Sequence, residues 1–207
     1  MGFYRFARRL FLIIAGPMFR FRVEGRERVP AAGPGIVVAP HRSWLDPACV
    51  GGASPRPIRF LIMHSVYHKP WARWFYRLMR SIPLQPGGSV SLGALRQALL
   101  RLQRGELIGI FPEGRVVRDG VEPTVHPGAA MLAVRTGAPV IPLAIVGSAR
   151  AWPPGRLYPG PARVRAAFGA PIQPPAGRGR DATEEMLRRI EAVFEDLGEG
   201  LQSEERP

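Results

Sequence analysis

The chain has 207 residues, 46% of them hydrophobic, which suits one globular domain with a sizeable core and leaves little room for a second. Twenty-nine Lys and Arg against 16 Asp and Glu give a formal charge of +13, which fits an anionic membrane, a nucleic acid or an acidic carrier without choosing among them; every basic residue but Lys69 is arginine, so compositional bias accounts for part of the excess. The single cysteine, Cys49, excludes an intrachain disulfide and a multi-thiolate metal site and fits a reducing compartment.

The chain opens with Leu10 to Phe19, an apolar run of ten residues broken by Gly16-Pro17 and flanked by Arg8-Arg9 and Arg20. That is too short to cross a hydrocarbon layer of about 30 Å. A secretory signal fits poorly, because no clean A-x-A site follows and the acid-poor segment continues into Arg20-Phe21-Arg22. Residues 3 to 19 are therefore expected to form an interfacial helix, with Phe3, Tyr4, Phe6, Leu10, Phe11, Ile13 and Ile14 in the headgroup boundary and Arg5, Arg8 and Arg9 near lipid phosphates. The competing reading is a helix packed on the protein's own core.

Beyond it, Ile36 to Ala39, Ile58 to Met63, Ile82 to Leu84, Leu107 to Phe111, Ile141 to Val146 and Arg163 to Phe168 read as strands, and their near-continuous apolar character predicts a largely parallel sheet covered on both faces. Helices are expected near 65 to 79, 89 to 104 and 127 to 136, and from Asp181 to about Leu197. Ser89 is placed to cap the second of these and Gly105 to end it, while Asp181 with Glu184 has an N-cap and N3 pattern. Trp152 to Gly160 and Pro171 to Gly179 read as ordered Pro/Gly-rich loops, and the polar stretch after Gly198 as a frayed tail. The expected architecture is a single α/β domain, a mostly parallel sheet flanked by helices, with an N-terminal amphipathic interfacial helix; the divisions are 1–22, 23–200 and a tail at 201–207. In such sheets ligands bind beyond the carboxyl ends of the strands.

Two segments just past strands carry candidate chemistry. The first is Ala39-Pro40-His41-Arg42-Ser43-Trp44-Leu45-Asp46-Pro47, where a histidine leaves the sheet and a carboxylate follows five positions later on a turn that enters a helix. Asp46 accepting from one ring nitrogen leaves the other free to take a hydroxyl proton. The plainer reading is that Asp46-Pro47 merely starts a helix, and a His-x4-Asp pair arises by chance with a probability of roughly 0.08. The second segment, Ile110-Phe111-Pro112-Glu113-Gly114-Arg115, puts a carboxylate and a guanidinium at a strand end, where Arg grips phosphate and Glu accepts from a hydroxyl. Its Phe-Pro-Glu-Gly run has a chance probability of order 10⁻³. Oxyanion donors are not marked in the sequence; backbone N–H groups at the start of the helix after Asp46 are the expectation.

On these residues the chain resembles the glycerolipid acyltransferase family that includes the 1-acylglycerol-3-phosphate acyltransferases. The likeness runs from about Val23 to Phe168 and rests on His41-x4-Asp46, on Phe111-Pro112-Glu113-Gly114 and on Val140-Ile141-Pro142-Leu143-Ala144-Ile145. It implies that His41 is a general base, that Asp46 orients it, and that Glu113, Gly114 and Arg115 help bind the acceptor's phosphate. It also implies direct acyl transfer from acyl-CoA or acyl carrier protein, with no cofactor and no acyl-enzyme, to the free hydroxyl of 1-acylglycerol-3-phosphate, giving phosphatidic acid at the cytoplasmic face of the cell membrane. Where the family commonly has Ile-Pro-Val-Asp-Arg, this chain has Ile82-Pro83-Leu84-Gln85-Pro86; the absent arginine leaves Arg118 or Arg80 as candidates to hold the phosphate. Gly114-Arg115, without the intervening Thr of many members, is a form associated also with relatives that acylate head-grouped lysophospholipids, so another lysophospholipid or glycolipid acceptor is the alternative.

Other residues are set aside. Cys49, in an apolar Ala48-Cys49-Val50 context, reads as buried helix and not as a nucleophile. His64 and His68 share a helical face suited to metal ligation, but no carboxylate follows His64 as a zinc hydrolase requires. Trp71, Trp74, Phe75 and Tyr76 with Arg73, Arg77 and Arg80 suit either the membrane interface or core packing. A non-catalytic basic protein binding nucleic acid or lipid is the rival class; zinc-finger spacing and RNP-like aromatic runs are missing from the sequence.

Overall fold

Branched apolar residues build the centre of the sheet in the computed structural model, which describes residues 2–85, 92–117 and 126–203. The strands are β1 (Arg22–Glu24), β2 (Gly35–Val38), β3 (Ile58–Ile62), β4 (Ile82–Pro83), β5 (Leu107–Ile110), β6 (Val140–Val146) and β7 (Arg165–Phe168). They lie side by side in the order β1-β7-β6-β2-β5-β3-β4, with every pair parallel except β6 and β7. The predicted single α/β domain with a mostly parallel sheet is what forms. β1 was not anticipated, because three residues with Val23 between charged Arg22 and Glu24 carry too little periodicity to register.

Helices cover both faces: α1 (Gly2–Phe19), α2 (Asp46–Ala53), α3 (His64–Tyr67), α4 (Pro70–Leu78), α5 (Leu92–Gln103), α6 (Gly128–Thr136), α7 (Ser148–Ala151) and α8 (Arg180–Ser203). Alternation along β2 divides the core, with Ile36 and Val38 packing among residues of α5, α6 and α8, and Val37 and Ala39 on the opposite face with Val50 and Ala53 of α2. The helix expected over 65 to 79 is two pieces. Lys69 precedes Pro70 and is held extended (φ −59°, ψ 126°), since the proline ring disfavours the helical conformation in the residue before it. Gly105 ends α5 as anticipated, at φ +72°, with Glu106 N–H donating to Arg101 C=O (3.0 Å) and Gly105 N–H to Leu102 C=O (2.8 Å). Arg80 ends α4 in the same way at φ +55°, although it carries a side chain. Ser89, the expected cap of α5, lies outside the described residues. Asp181 is not an N-cap: α8 begins at Arg180, and the Gly179 carbonyl accepts from Thr183 N–H (3.2 Å) and Oγ1–H (2.8 Å), leaving Asp181 in the first turn.

Of the residues assigned to an interfacial face on α1, Tyr4 belongs to the core. It is 4% exposed and its hydroxyl donates to Gly51 C=O at 3.1 Å across the α1–α2 contact; burial pushes that hydroxyl up to about 12. Phe11 also faces inward, with Ala15 and Phe19, toward Leu45 and Cys49. Phe6, Leu10, Ile13 and Ile14 are exposed, as are Trp71, Trp74 and Leu78 of α4, and Phe3 joins the two helices through edge contacts with Trp74 (6.2 Å) and Phe75 (6.0 Å). Among the described residues, no helix is long and apolar enough to cross a membrane.

Candidate active site

Parallel pairing of β2 with β5 sets Val38 opposite Ile110, so the segments that leave these two strands emerge side by side. His41 comes three residues after one and Glu113 three residues after the other. The two segments interlock there: His41 N–H donates to the Glu113 side chain at Oε1 (3.3 Å), and Val117 N–H to the His41 carbonyl at 2.7 Å.

Asp46, at the start of α2 and 1% exposed, turns one oxygen back into the preceding loop. Oδ2 accepts from Arg42 N–H (2.7 Å), Ser43 N–H (2.7 Å) and His41 Nδ1 (3.2 Å). A carboxylate oxygen holding three donors sets Nδ1 as the protonated nitrogen and leaves a lone pair on Nε2. The His41 side chain is 14% exposed, open enough for a substrate to reach. Its ring lies on Phe111 at 4.3 Å and 24°, and Phe111 is itself parallel to Phe60 at 6.0 Å, so an aromatic column rises from the sheet to the imidazole. Ser43, which sequence reasoning passed over, anchors the turn: its buried hydroxyl donates to Trp152 C=O (2.7 Å) and accepts from Leu45 N–H (3.1 Å). The signal was there in a Ser placed three residues before an Asp at a helix start.

Glu113 is 7% exposed. Burial raises its carboxyl above the usual range, against the opposing pull of its own and His41's backbone N–H groups and of the His41 and Arg42 charges. Its Oε2, like Asp46 Oδ1, is buried without a partner among the described residues. Gly114 turns the chain at φ +65° beside the His126 ring, and His126 N–H closes the corner on Pro112 C=O at 2.9 Å. Arg115 follows, exposed. The fold does not bring Arg80 to this edge: in the β3–β4 register Leu61 faces Ile82, which sets Arg80 level with Arg59 near the start of β3. Arg118 lies outside the described residues. The first turn of α2 does not offer the oxyanion donors expected of it, because Pro47 has no N–H and those of Asp46, Ala48 and Cys49 bond to Ser43 and Leu45 carbonyls. Cys49 is buried, and its thiol is pushed well up by burial and by the Asp46 charge, which keeps it from being a thiolate nucleophile.

An imidazole polarised by a carboxylate, beside a second buried carboxyl at a sheet edge, is suited to taking a proton from a hydroxyl. Comparison with known proteins points the same way. The family model described as Acyltransferase matches residues 20–146. The chain is 27% identical over 158 residues to the chloroplastic 1-acyl-sn-glycerol-3-phosphate acyltransferase LPAT1 of Arabidopsis thaliana, covering 74% of this chain and 44% of that one, so it spans less than half of that relative's length. It is 28% identical over 200 residues to the 1-acyl-sn-glycerol-3-phosphate acyltransferase of Pseudomonas aeruginosa, covering 94% of this chain and 75% of the relative. The crystal structure of the 1-acyl-sn-glycerophosphate acyltransferase PlsC from Thermotoga maritima superposes with a TM-score of 0.74 at 26% identity, covering 94% of this chain and 78% of that one. The architecture, the matched span and these likenesses together establish that the chain belongs to the Acyltransferase family.

Proposed function

We propose that the protein transfers a fatty acyl group from a thioester, acyl-CoA or acyl carrier protein, to the free hydroxyl of 1-acylglycerol-3-phosphate, making phosphatidic acid at the cytoplasmic face of the cell membrane. The observation that carries the mechanism is the Asp46 Oδ2 contact with His41 Nδ1 at 3.2 Å, which leaves Nε2 available. Nε2 takes the hydroxyl proton as the oxygen attacks the thioester carbonyl. The C–S bond then breaks, and the imidazolium returns the proton to the departing thiolate, so the step balances without a cofactor or an acyl-enzyme. Asp46 steadies the imidazolium while the charge is there. Glu113 and Arg115 bracket the acceptor's polar end in this reading, with Glu113 Oε2, which has no partner among the described residues, directed to it.

Peripheral attachment is supported by the exposed apolar residues of α1 and α4, which Phe3 joins into one surface. The basic charge favours both the anionic membrane surface and a phosphate-bearing donor. A second acceptor class, a head-grouped lysophospholipid or a glycolipid, is favoured by Gln85, which stands exposed after β4 in the segment where the family commonly carries Asp-Arg. The deciding experiment measures thiol release from acyl-CoA and from acyl carrier protein with lysophosphatidate, head-grouped lysophospholipids and a monoacylated glycolipid. Thiol release with lysophosphatidate supports the reading; release only with another acceptor selects the second class. No release with any pair, together with DNA binding that survives His41→Ala, overturns both.

A further inference from the structure

The segment after β4 runs Gln85-Pro86 where the family commonly has Asp-Arg, so the cation is missing there, yet another group of ionisable side chains stands on the same sheet edge and has no part in the proton transfer. β3 lies beside β5 and ends at Ile62, and the chain turns at once into α3, so His64 leaves the edge one strand away from the Phe111 that carries the His41 ring. One helical turn later His68 brings its ring to 4.2 Å from that of His64, at 35°. From α3 Tyr67 packs edge-on to His68 at 5.2 Å, and from α4 Tyr76 stacks on Tyr67 at 6.0 Å. Lys69 lies over the Trp71 ring at 5.9 Å, and Arg73 is near enough to act on His68 electrostatically.

Neither imidazole has a hydrogen-bond or ion-pair partner among the described residues, which also contain no group of three His, Cys, Asp or Glu able to hold a metal ion. Among the described residues, the charges that act on His68 are those of His64 and Arg73, both of one sign. His68 is held below the ordinary imidazole range by loss of water around its ring, then by His64 and by Arg73. A second cation would meet the Lys69 and Arg73 charges, whereas an anion would relieve the repulsion and draw protons onto the rings. Trp71 and Trp74, both exposed, put this corner at the border of the apolar face proposed to meet the bilayer, where a lipid phosphate sits.

We propose that His64 and His68, with Arg73, form the binding site for the phosphate of the acceptor lipid and stand in for the cation absent from the end of β4. The assignment rests on the acyltransferase reading and refines its acceptor. Anionic lipids of the surrounding bilayer offer the same phosphate chemistry, and the test separates the two sources. In the wild-type protein, NMR of the histidine rings is expected to show the His64 and His68 signals titrating at higher pH when glycerol 3-phosphate is added, the signals being assigned by loss in His64→Gln and His68→Gln. In detergent micelles at pH 6, the double variant is expected to raise KM for lysophosphatidate about fivefold with little change in kcat, the scale of a partly exposed ion pair. It should also flatten the wild-type rise of KM between pH 6 and pH 8, while sedimentation with phosphatidylglycerol vesicles stays as in the wild type. Unmoved histidine signals together with an unchanged KM overturn the site while leaving the acyltransferase intact. Weakened vesicle sedimentation with an unchanged micellar KM assigns the pair to bulk lipid and overturns the acceptor assignment. Histidine signals that move in a protein showing no acyl transfer keep the phosphate site and overturn the enzymatic reading instead.

Discussion

Asp46 gives one oxygen to three donors, and two of these are backbone groups of the turn that carries His41. The same contact therefore shapes the loop and sets the tautomer. Asp46→Asn keeps an acceptor for the backbone but removes the charge that steadies an imidazolium, so kcat for thiol release is expected to fall about 10²-fold or more with the thermal midpoint little changed. His41→Ala is expected to lower the rate by about 10² to 10⁴-fold, again in a folded protein, because its side chain is partly exposed at the sheet edge. A rate equal to wild type in either variant would remove the general base from the mechanism. Glu113 supplies a pH test of the site's electrostatics. Its carboxyl is raised above its unfolded value, so the stability it contributes is complete below the ordinary carboxylate pKa and is lost as pH rises through the folded value, where a buried charge must form. Glu113→Gln keeps an acceptor for His41 N–H and has no charge to form. Thermal unfolding from pH 4 to 8 is expected to show the variant gaining on the wild type as pH rises, and a constant difference would rule out the raised carboxyl.

At the scale of elements, a close approach between two strands positions the site. β5 places Gly109 under the Phe60 ring, where a Cβ would sit 2.7 Å from both that ring and Ile58 Cγ2. Because Phe60 underlies Phe111 and Phe111 underlies His41, Gly109→Ala is expected to destabilise the fold by about 1–3 kcal/mol and to lower activity as the column shifts. Denaturant unfolding alongside thiol release checks both effects; an unchanged midpoint would show that the slot has slack. α1 has two unlike faces, since Tyr4, Ala15 and Phe19 are core while Leu10, Ile13 and Ile14 are exposed, Ile13 by 71%. Deleting residues 1 to 19 therefore removes packing as well as any anchor. The cleaner test replaces Leu10, Ile13 and Ile14 with Ser, which is expected to weaken sedimentation with anionic vesicles about tenfold or more while the unfolding midpoint holds. Equal sedimentation would sever α1 from membrane attachment.

For the whole molecule, the arginine excess serves two ends. Arg8 donates to Ser54 C=O (2.9 Å), Arg26 to Ala53 C=O (3.1 Å), Arg28 to Phe168 C=O (2.7 Å), and Arg56 to Pro30, Gly33 and Gly105 carbonyls at 2.6–3.0 Å. These guanidiniums tie loop and helix ends together and remain charged, so the same residues hold the fold and contribute to the +13. Vesicle binding is accordingly expected to weaken with added salt yet persist through the apolar face, whereas loss of all binding at high salt would point to charge alone. What the sequence determined by itself was local. Continuous apolar runs marked β2, β3, β5 and β6, and a five-residue spacing brought His41 to Asp46, because both are set by periodicity or by a single turn. β1, the division of α3 from α4 and the inward face of α1 were decided elsewhere, by strand pairing, by Pro70 and by the α1–α2 contact. Only the tertiary structure decided that Glu113, distant in the chain, meets the backbone of His41, that Arg80 lies away from both, and that a pair of histidines shares their edge. The physical reason is that parallel neighbours in a sheet are joined through long crossovers, so which strand ends lie together depends on strand order, and no local pattern records it.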